Sequence, residues 1–170
     1  MVHGIRSCLL CLILLIVPAF GQSKVAVVNF QRALLDTAEI KKASADLEAK
    51  YKPRQAELEK IRQEIQDLQQ KLQSLAGKLT PQAESEMNFQ LQRKQRDFQR
   101  LSEDLQSDVD EERNAILTKA GQRMREIINK LAEEKGADVI IDASNTLYFK
   151  PALDLTQEAT AAYDKAYPVK

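Results

Sequence analysis

Large apolar side chains recur through the first half of this chain at alternating steps of four and three residues. They fall at Leu47, Tyr51, Leu58, Ile61, Ile65, Leu68, Leu72, Leu75 and Leu79, with Arg54 alone interrupting the series. Such a heptad seam marks a helix that lies along a partner in a left-handed coiled coil. The surrounding residues are Glu, Gln, Lys, Arg and Ala with little Gly or Pro, which suits a long helix and no other regular element.

The pattern breaks at Ala76-Gly77-Lys78-Leu79-Thr80-Pro81. Gly77 can end one helix, and Thr80-Pro81 can begin another as N-cap and first residue, with Glu84 placed for a capping box. The chain is therefore expected to reverse near residues 77–81. On the return, Met87, Leu91, Phe98, Leu101 and Leu105 resume the four-three steps, with Lys94 filling one slot. Beyond Leu105 the period lengthens: Leu105, Ile116 and Ile127 are eleven apart, as are Val109, Ala120 and Leu131. An eleven-residue repeat relaxes or reverses the supercoil, so the hairpin should be wound at its tip and straighter at its root.

Charge supports an antiparallel register in which paired residue numbers sum to roughly 158. Acidic residues from Glu103 to Glu112 then face Lys50, Lys52 and Arg54, while Arg93, Lys94 and Arg96 face Glu64 and Asp67. Each exposed pair contributes little, but together they disfavour slipped registers. Two residues disturb the helices. Pro53 removes a backbone donor, which costs ~3 kcal/mol in a regular helix interior. Gly121, read as lying near the same level on the return helix, costs ~1 kcal/mol relative to Ala. They are candidates for a paired hinge; the alternative is that Pro53 starts a helix and Gly121 allows close packing.

The ends differ in character. Lys24-Val25-Ala26-Val27-Val28-Asn29 reads as a strand, apolar on both faces and hence buried from both sides. Asp138–Asp142 and Thr146–Phe149 read as two more strands joined by a turn at Ala143-Ser144-Asn145, with Lys150-Pro151 stopping the second. Asp154 or Thr156 can cap a last helix running through Ala166, with Pro168 beyond its end. Three short strands bury too little for an independent core. Val25, Val27, Val139, Ile140, Ile141, Leu147 and Phe149 are therefore expected to find shelter in an oligomeric base shared by several chains.

The first residues bear on compartment and chemistry. A basic start at Arg6, an apolar run from Cys8 to Val17 and the small-residue pattern Ala19-Phe20-Gly21 have the order of a secretory signal peptide cleaved after Gly21. Both cysteines, Cys8 and Cys11, and the single histidine, His3, lie inside that leader. Without it the chain offers no thiol, no imidazole and none of the usual zinc or copper ligand sets. The remaining glycines form no phosphate-cradling loop. No catalytic residue, metal ligand or cofactor is expected, and the chain reads as a non-enzyme. Of 25 basic and 25 acidic residues, the leader removes only Arg6, leaving 24 against 25. Nucleic-acid binding calls for a basic excess that is absent here.

Lys24–Asn29 followed by Gln31-Arg32-Ala33-Leu34-Leu35, the closing Val139–Phe149, and the tail Pro151-Ala152-Leu153-Asp154-Leu155-Thr156 resemble the Skp (OmpH-like) family of periplasmic chaperones. The resemblance covers the chain after the leader and implies a mainly α fold with a small β part. In this architecture a long antiparallel coiled-coil hairpin stands on a β-strand trimerisation body, giving a jellyfish-like homotrimer. The expected organisation is a signal peptide over 1–21, a body over 22–46 and 132–170, and an arm over 47–131. Val25, Val27, Val139, Ile141, Leu147 and Phe149 would belong to the body.

The resemblance also implies an ATP-independent holdase that keeps unfolded outer-membrane β-barrel proteins from aggregating in a cavity between arms. Candidate client contacts near the tip are Lys71, Lys78, Phe89, Arg93, Lys94 and Arg96; for Phe89 the alternative is packing within the hairpin. Contact with an anionic membrane surface is a further expectation, although well-studied family members are strongly basic and this chain is near neutral. The competing reading is a structural coiled-coil adaptor bridging two envelope components.

Overall fold

The computed structural model describes residues 23–169. The leader, its cleavage site, Cys8, Cys11 and His3 lie outside the described residues. Along the chain come a strand β1 (Val25–Val28), a short helix α1 (Phe30–Leu35), two long helices α2 (Ala38–Ser74) and α3 (Pro81–Lys135), a strand β2 (Val139–Asp142) and a last helix α4 (Thr156–Ala166). Single 3₁₀ turns occupy Ala143–Asn145 and Pro151–Leu153.

Helices α2 and α3 form the expected antiparallel hairpin. At 1.5 Å per residue, the 37 residues of α2 extend about 55 Å and the 55 residues of α3 about 80 Å. The N-terminus of α3 is capped by Thr80 and Pro81 as anticipated, the Thr80 side chain accepting from the Ala83 N–H, but Glu84 lies one position past the capping-box site and bonds to Thr80 through its backbone N–H instead. Helix α2 stops at Ser74, so Leu75 and Leu79, read as seam residues, belong to the turn instead. Gly77 lies in that turn at φ +74°, a left-handed conformation that a Cβ disfavours. The cross-helix ion pair Glu64–Lys94 sums to the expected 158, whereas Arg54–Asp108, Lys50–Glu112 and Glu39–Arg123 sum to 162. The offset is one helical turn, within reach of a long Lys or Arg side chain.

Pro53 does not begin a helix, because α2 runs through it from Ala38. Nor do Pro53 and Gly121 share a level. Pro53 lies between the Lys50–Glu112 and Arg54–Asp108 pairs. Gly121 is roughly 13–20 Å further down α3 from Glu112 and Asp108, at 1.5 Å per residue. There a Cβ would meet the Phe30 ring of α1 at 3.8 Å, an ordinary contact, so close packing does not demand glycine.

The base departs further from expectation. Thr146–Phe149 is not a strand, and residues 138–149 do not form a hairpin. Instead β2 pairs in parallel with β1, Val25 opposite Val139 and Val28 opposite Asp142. Parallel strands need a long crossover, and the whole arm serves as one. The Asp142 carboxylate accepts from the backbone N–H and hydroxyl of Ser144, both at 2.8 Å, which starts a 3₁₀ turn. Among the described residues no non-glycine residue takes the positive φ that a tight hairpin turn favours.

The base also builds a core that the strands alone could not. Met124, Ile127 and Leu131 of α3 pack with Ala33 and Leu34 of α1, Ala159 and Tyr163 of α4, and Ala26 and Val28 of β1. Helix α1 had no counterpart in the strand-based reading. It is set by Asn29, whose side chain accepts from the Arg32 N–H at 2.8 Å, and Thr37 then caps α2.

Two glycine substitutions test this geometry in opposite directions. Gly136, at φ +63°, closes the C-terminus of α3 as a left-handed cap. Gly136→Ala should cost about 1–2 kcal/mol through that backbone strain. Gly121→Ala should instead gain up to about 1 kcal/mol of helix propensity. Urea denaturation followed by circular dichroism distinguishes the two signs.

Candidate functional site

The sheet is incomplete on one side. β1 has β2 along one edge, while on the other the Leu155 N–H donates to the Val27 carbonyl at 2.8 Å. β2 has no described strand on its outer edge. Val139 and Ile141 of β2 remain 44% and 39% exposed, and in the segment that follows Leu147 is fully exposed and Tyr148 80%. A groove of about 400 Å³, lined by Val28, Phe30, Ile128, Ala132, Val139 and Ile140 among others, runs between this strand and α3. The six body residues thus divide. Val27 is buried within the chain, Val25 and Phe149 are half-buried, and Val139, Ile141 and Leu147 face outward. The opening strand β1 is covered within the chain as expected, whereas β2 is left partly uncovered in a single chain. An apolar open edge of this kind is a template for pairing with another chain.

The arm carries a second set of surfaces. Near the tip Lys71, Lys78, Phe89, Arg93 and Arg96 are exposed. The Phe89 ring, 48% exposed, packs under the Arg93 guanidinium at 4.9 Å rather than inside the hairpin. Lys94 is drawn off this surface: its ammonium reaches the Glu64 carboxylate at 2.5 Å across the seam. That contact holds Glu64 below the ordinary carboxylate range, against the opposing effect of desolvation. At the root, a shallow apolar groove of about 340 Å³ between α2 and α3 is lined by Leu35, Ile40, Leu47, Ile116 and Leu117, with Arg113 at its side.

Two polar clusters tie the arm together. Midway, Glu112 accepts from Lys50 at 2.5 Å and from the Tyr51 hydroxyl at 2.9 Å, and Asp108 accepts from Arg54 at 2.5 Å. The Lys50 and Tyr51 hydrogen bonds hold Glu112 low. At the root, Arg123 donates to both Glu39 oxygens at 2.9 and 3.0 Å, and the Tyr163 hydroxyl donates to the same carboxylate at 2.5 Å. Arg123 also lies over the Tyr167 ring at 4.5 Å. Asp164 accepts from the Ala38 N–H at 2.9 Å, so α4 clamps the first turn of α2. Burial, then the bond to Glu39, pushes the Tyr163 hydroxyl up to about 12. Sequence gave no sign of this root cluster, since Arg123 and Tyr163 lie 84 and 124 residues from Glu39.

Each cluster gathers a basic side chain and a tyrosine hydroxyl on one carboxylate and so ties helices together, α2 to α3 midway and α2, α3 and α4 at the root. Among the described residues no group of three or more His, Cys, Asp or Glu could hold a metal ion, and no helix is long and apolar enough to cross a membrane.

Residues 24–163 match the family model described as outer membrane protein (OmpH-like). A Skp-like protein of Pseudomonas aeruginosa is 26% identical over 140 residues, covering 82% of this chain and 83% of that one. Among solved structures, an outer membrane chaperone (OmpH-like) from Caulobacter crescentus shares the fold with a TM-score of 0.69 at 21% identity, covering 88% of each chain.

The root cluster yields a pH-dependent test. A tyrosine whose pKa rises on folding contributes stability that is complete below pH 10.0 and lost as pH climbs through about 12. Tyr163→Phe should cost about 1–2 kcal/mol at neutral pH, as expected for a hydrogen bond to a charged group. It should also flatten the alkaline decline of wild type. Thermal melts at neutral pH and above pH 10.0 measure both effects.

Proposed function

The chain belongs to the OmpH-like family of outer membrane proteins, a membership that supports a chaperone role, and from that premise we propose that it is an ATP-independent holdase of the periplasm. In this reading it is exported, cleaved after Gly21, and assembled as a homotrimer. It binds unfolded outer-membrane β-barrel proteins between its arms and needs no cofactor.

The observation that carries the proposal is the division of labour within one chain. An apolar strand edge at Val139–Asp142 lies on the base, and an arm about 55 Å long leads away from it. Joining chains through β2, with Leu147 and Tyr148 covered in the joint, would stabilise the base and bring several arms around one space. A client strand is moderately apolar and prone to pair edge to edge. Walls offering many weak contacts would isolate it without folding it. Phe89 with Arg93 and Arg96 supplies mixed apolar and cationic contacts near the rim, and the groove lined by Leu35, Leu47 and Ile116 supplies apolar ones near the root. The same basic tip residues are where contact with an anionic membrane surface would fall.

Diluting a urea-denatured porin into buffer should give turbidity that the protein suppresses near stoichiometric ratios. A shortened form lacking Ile61–Leu79 and Thr80–Asp97, joined by a Gly-containing turn, is cut to the register of the nearby Glu64–Lys94 pair. It should still assemble but lose protection of large porins first. Undiminished protection by the shortened form would refute enclosure by the arms. A protein that binds one envelope partner through its tip and protects no porin would instead be a structural adaptor.

A further inference from the structure

Pro53 is the one proline inside a described helix, and it sits in an arm only two helices thick. Its missing N–H leaves the Ala49 carbonyl without the usual intrahelical donor, a defect that bends most helices. Yet α2 continues through it without interruption. The surrounding side chains supply a reason. Lys50 and Tyr51, on the root side of the proline, both bond to Glu112. Arg54, on the tip side, bonds to Asp108, one turn from Glu112 on the facing helix. Lys50 and Arg54 also flank the Tyr51 ring at 5.2 and 5.7 Å. Tyr51 is itself buried, one of only two buried residues in α2.

The two halves of the weakened helix are therefore bolted to the same short stretch of α3, one bolt on each side of the proline. We propose that this cluster is an electrostatic brace that holds the arm straight across a bend point at Pro53, so that the arm flexes there when its ion pairs are screened or competed away. The neighbouring cross-arm ion pairs, Glu39–Arg123 and Glu64–Lys94, lie 14 and 11 residues from Pro53 along α2. Losing the brace thus leaves a long span of α2 held to α3 by its apolar seam, with no cross-arm ion pair among the described residues between Glu39 and Glu64. Its members are exposed enough for salt to act on them, since the Lys50, Arg54, Glu112 and Asp108 side chains all retain at least a third of their surface. Gly121, buttressed by Phe30 and close to the root clamp, takes no part.

The proposal concerns the arm and stands whether or not the chain is a holdase. Only its consequence, that ionic conditions or charged client segments set how far the arms can open, rests on that reading.

The test is a distance measurement by pulsed electron spin resonance. Labels at Gln69→Cys near the tip and Gln157→Cys on α4 are introduced in a Cys8→Ala, Cys11→Ala background, with labelled chains diluted into unlabelled ones. In wild type the tip-to-base distance distribution should be narrow at low salt and broaden as salt is raised. Lys50→Gln with Arg54→Gln should be broad at low salt and insensitive to further salt. Restoring the proline's missing donor with Pro53→Ala should keep the distribution narrow even without the brace. A charge-swapped pair, Arg54→Asp with Asp108→Arg, should recover part of the wild-type sharpness. Helical circular dichroism checks that each variant remains folded. Equal widths in wild type and the double variant at low salt, or the same broadening with and without Pro53, would overturn the proposal.

Discussion

Two helices lying side by side can each bury only one stripe of side chains. The consequence of that limit runs the length of this molecule. Towards the tip the seam residues Ile65, Leu68, Leu72 and Leu91 are only half-buried. Leu105 and Tyr51 are buried midway, and at the root, where α1, α4 and β1 add cover, Met124 and Tyr163 lose all exposure. Apolar burial is the main source of stability, so the arm is anchored from its base and loosens outward. Polar contacts across the arm are spaced along its whole length: Lys94 and Glu64 towards the tip, the Lys50–Glu112 cluster at Pro53, and Glu39–Arg123 where the helices enter the base.

The same geometry explains the base. A chain that leaves as a long helical hairpin and returns beside its starting strand pairs β1 with β2 in parallel, and such a two-stranded sheet has little stability of its own. Helices α1 and α4 complete a core on one side. The outer edge of β2, with Val139 and Ile141, has no strand beside it among the described residues. What looks deficient in one copy is suited to completion by another. In the proposed assembly the edge that limits the single chain is the element that gathers the arms.

Most of the arm was legible from sequence because its determinants are local and periodic. Four-three spacing gave the seam, Thr80-Pro81 gave the start of the return helix, and opposite charges gave a register correct to within one turn. The eleven-residue series also lies inward, with Ala120, Ile127 and Leu131 buried as that spacing requires. The base was less legible. Thr146–Phe149 has the composition of a strand, but composition does not reveal that the Asp142 carboxylate bonds to Ser144 and starts a 3₁₀ turn where a hairpin with β2 would need a tight reversal. The shared level of Pro53 and Gly121 failed because it departs from the charge register itself, which already sets Pro53 opposite residues well short of Gly121. The root cluster was invisible, since nothing local brings Arg123 and Tyr163 to Glu39. The family resemblance reached the fold by matching end segments, a route that needs no account of those long-range contacts.

The central claim is that the base joins chains through the open edge of β2 while the arms remain free to enclose a client. Val27 is a poor probe of it, because that side chain is 2% exposed within a single chain and its loss would disrupt the fold. Ile141 is the informative position, being exposed in one chain and central to the proposed joint. Sedimentation equilibrium of wild type and Ile141→Asp, with helical content checked by circular dichroism, addresses the claim directly. The account predicts a three-chain mass for wild type and a shift towards the single-chain mass for the variant, with the helices retained. A wild type that sediments as one chain, or a variant that keeps the full wild-type mass, would contradict it.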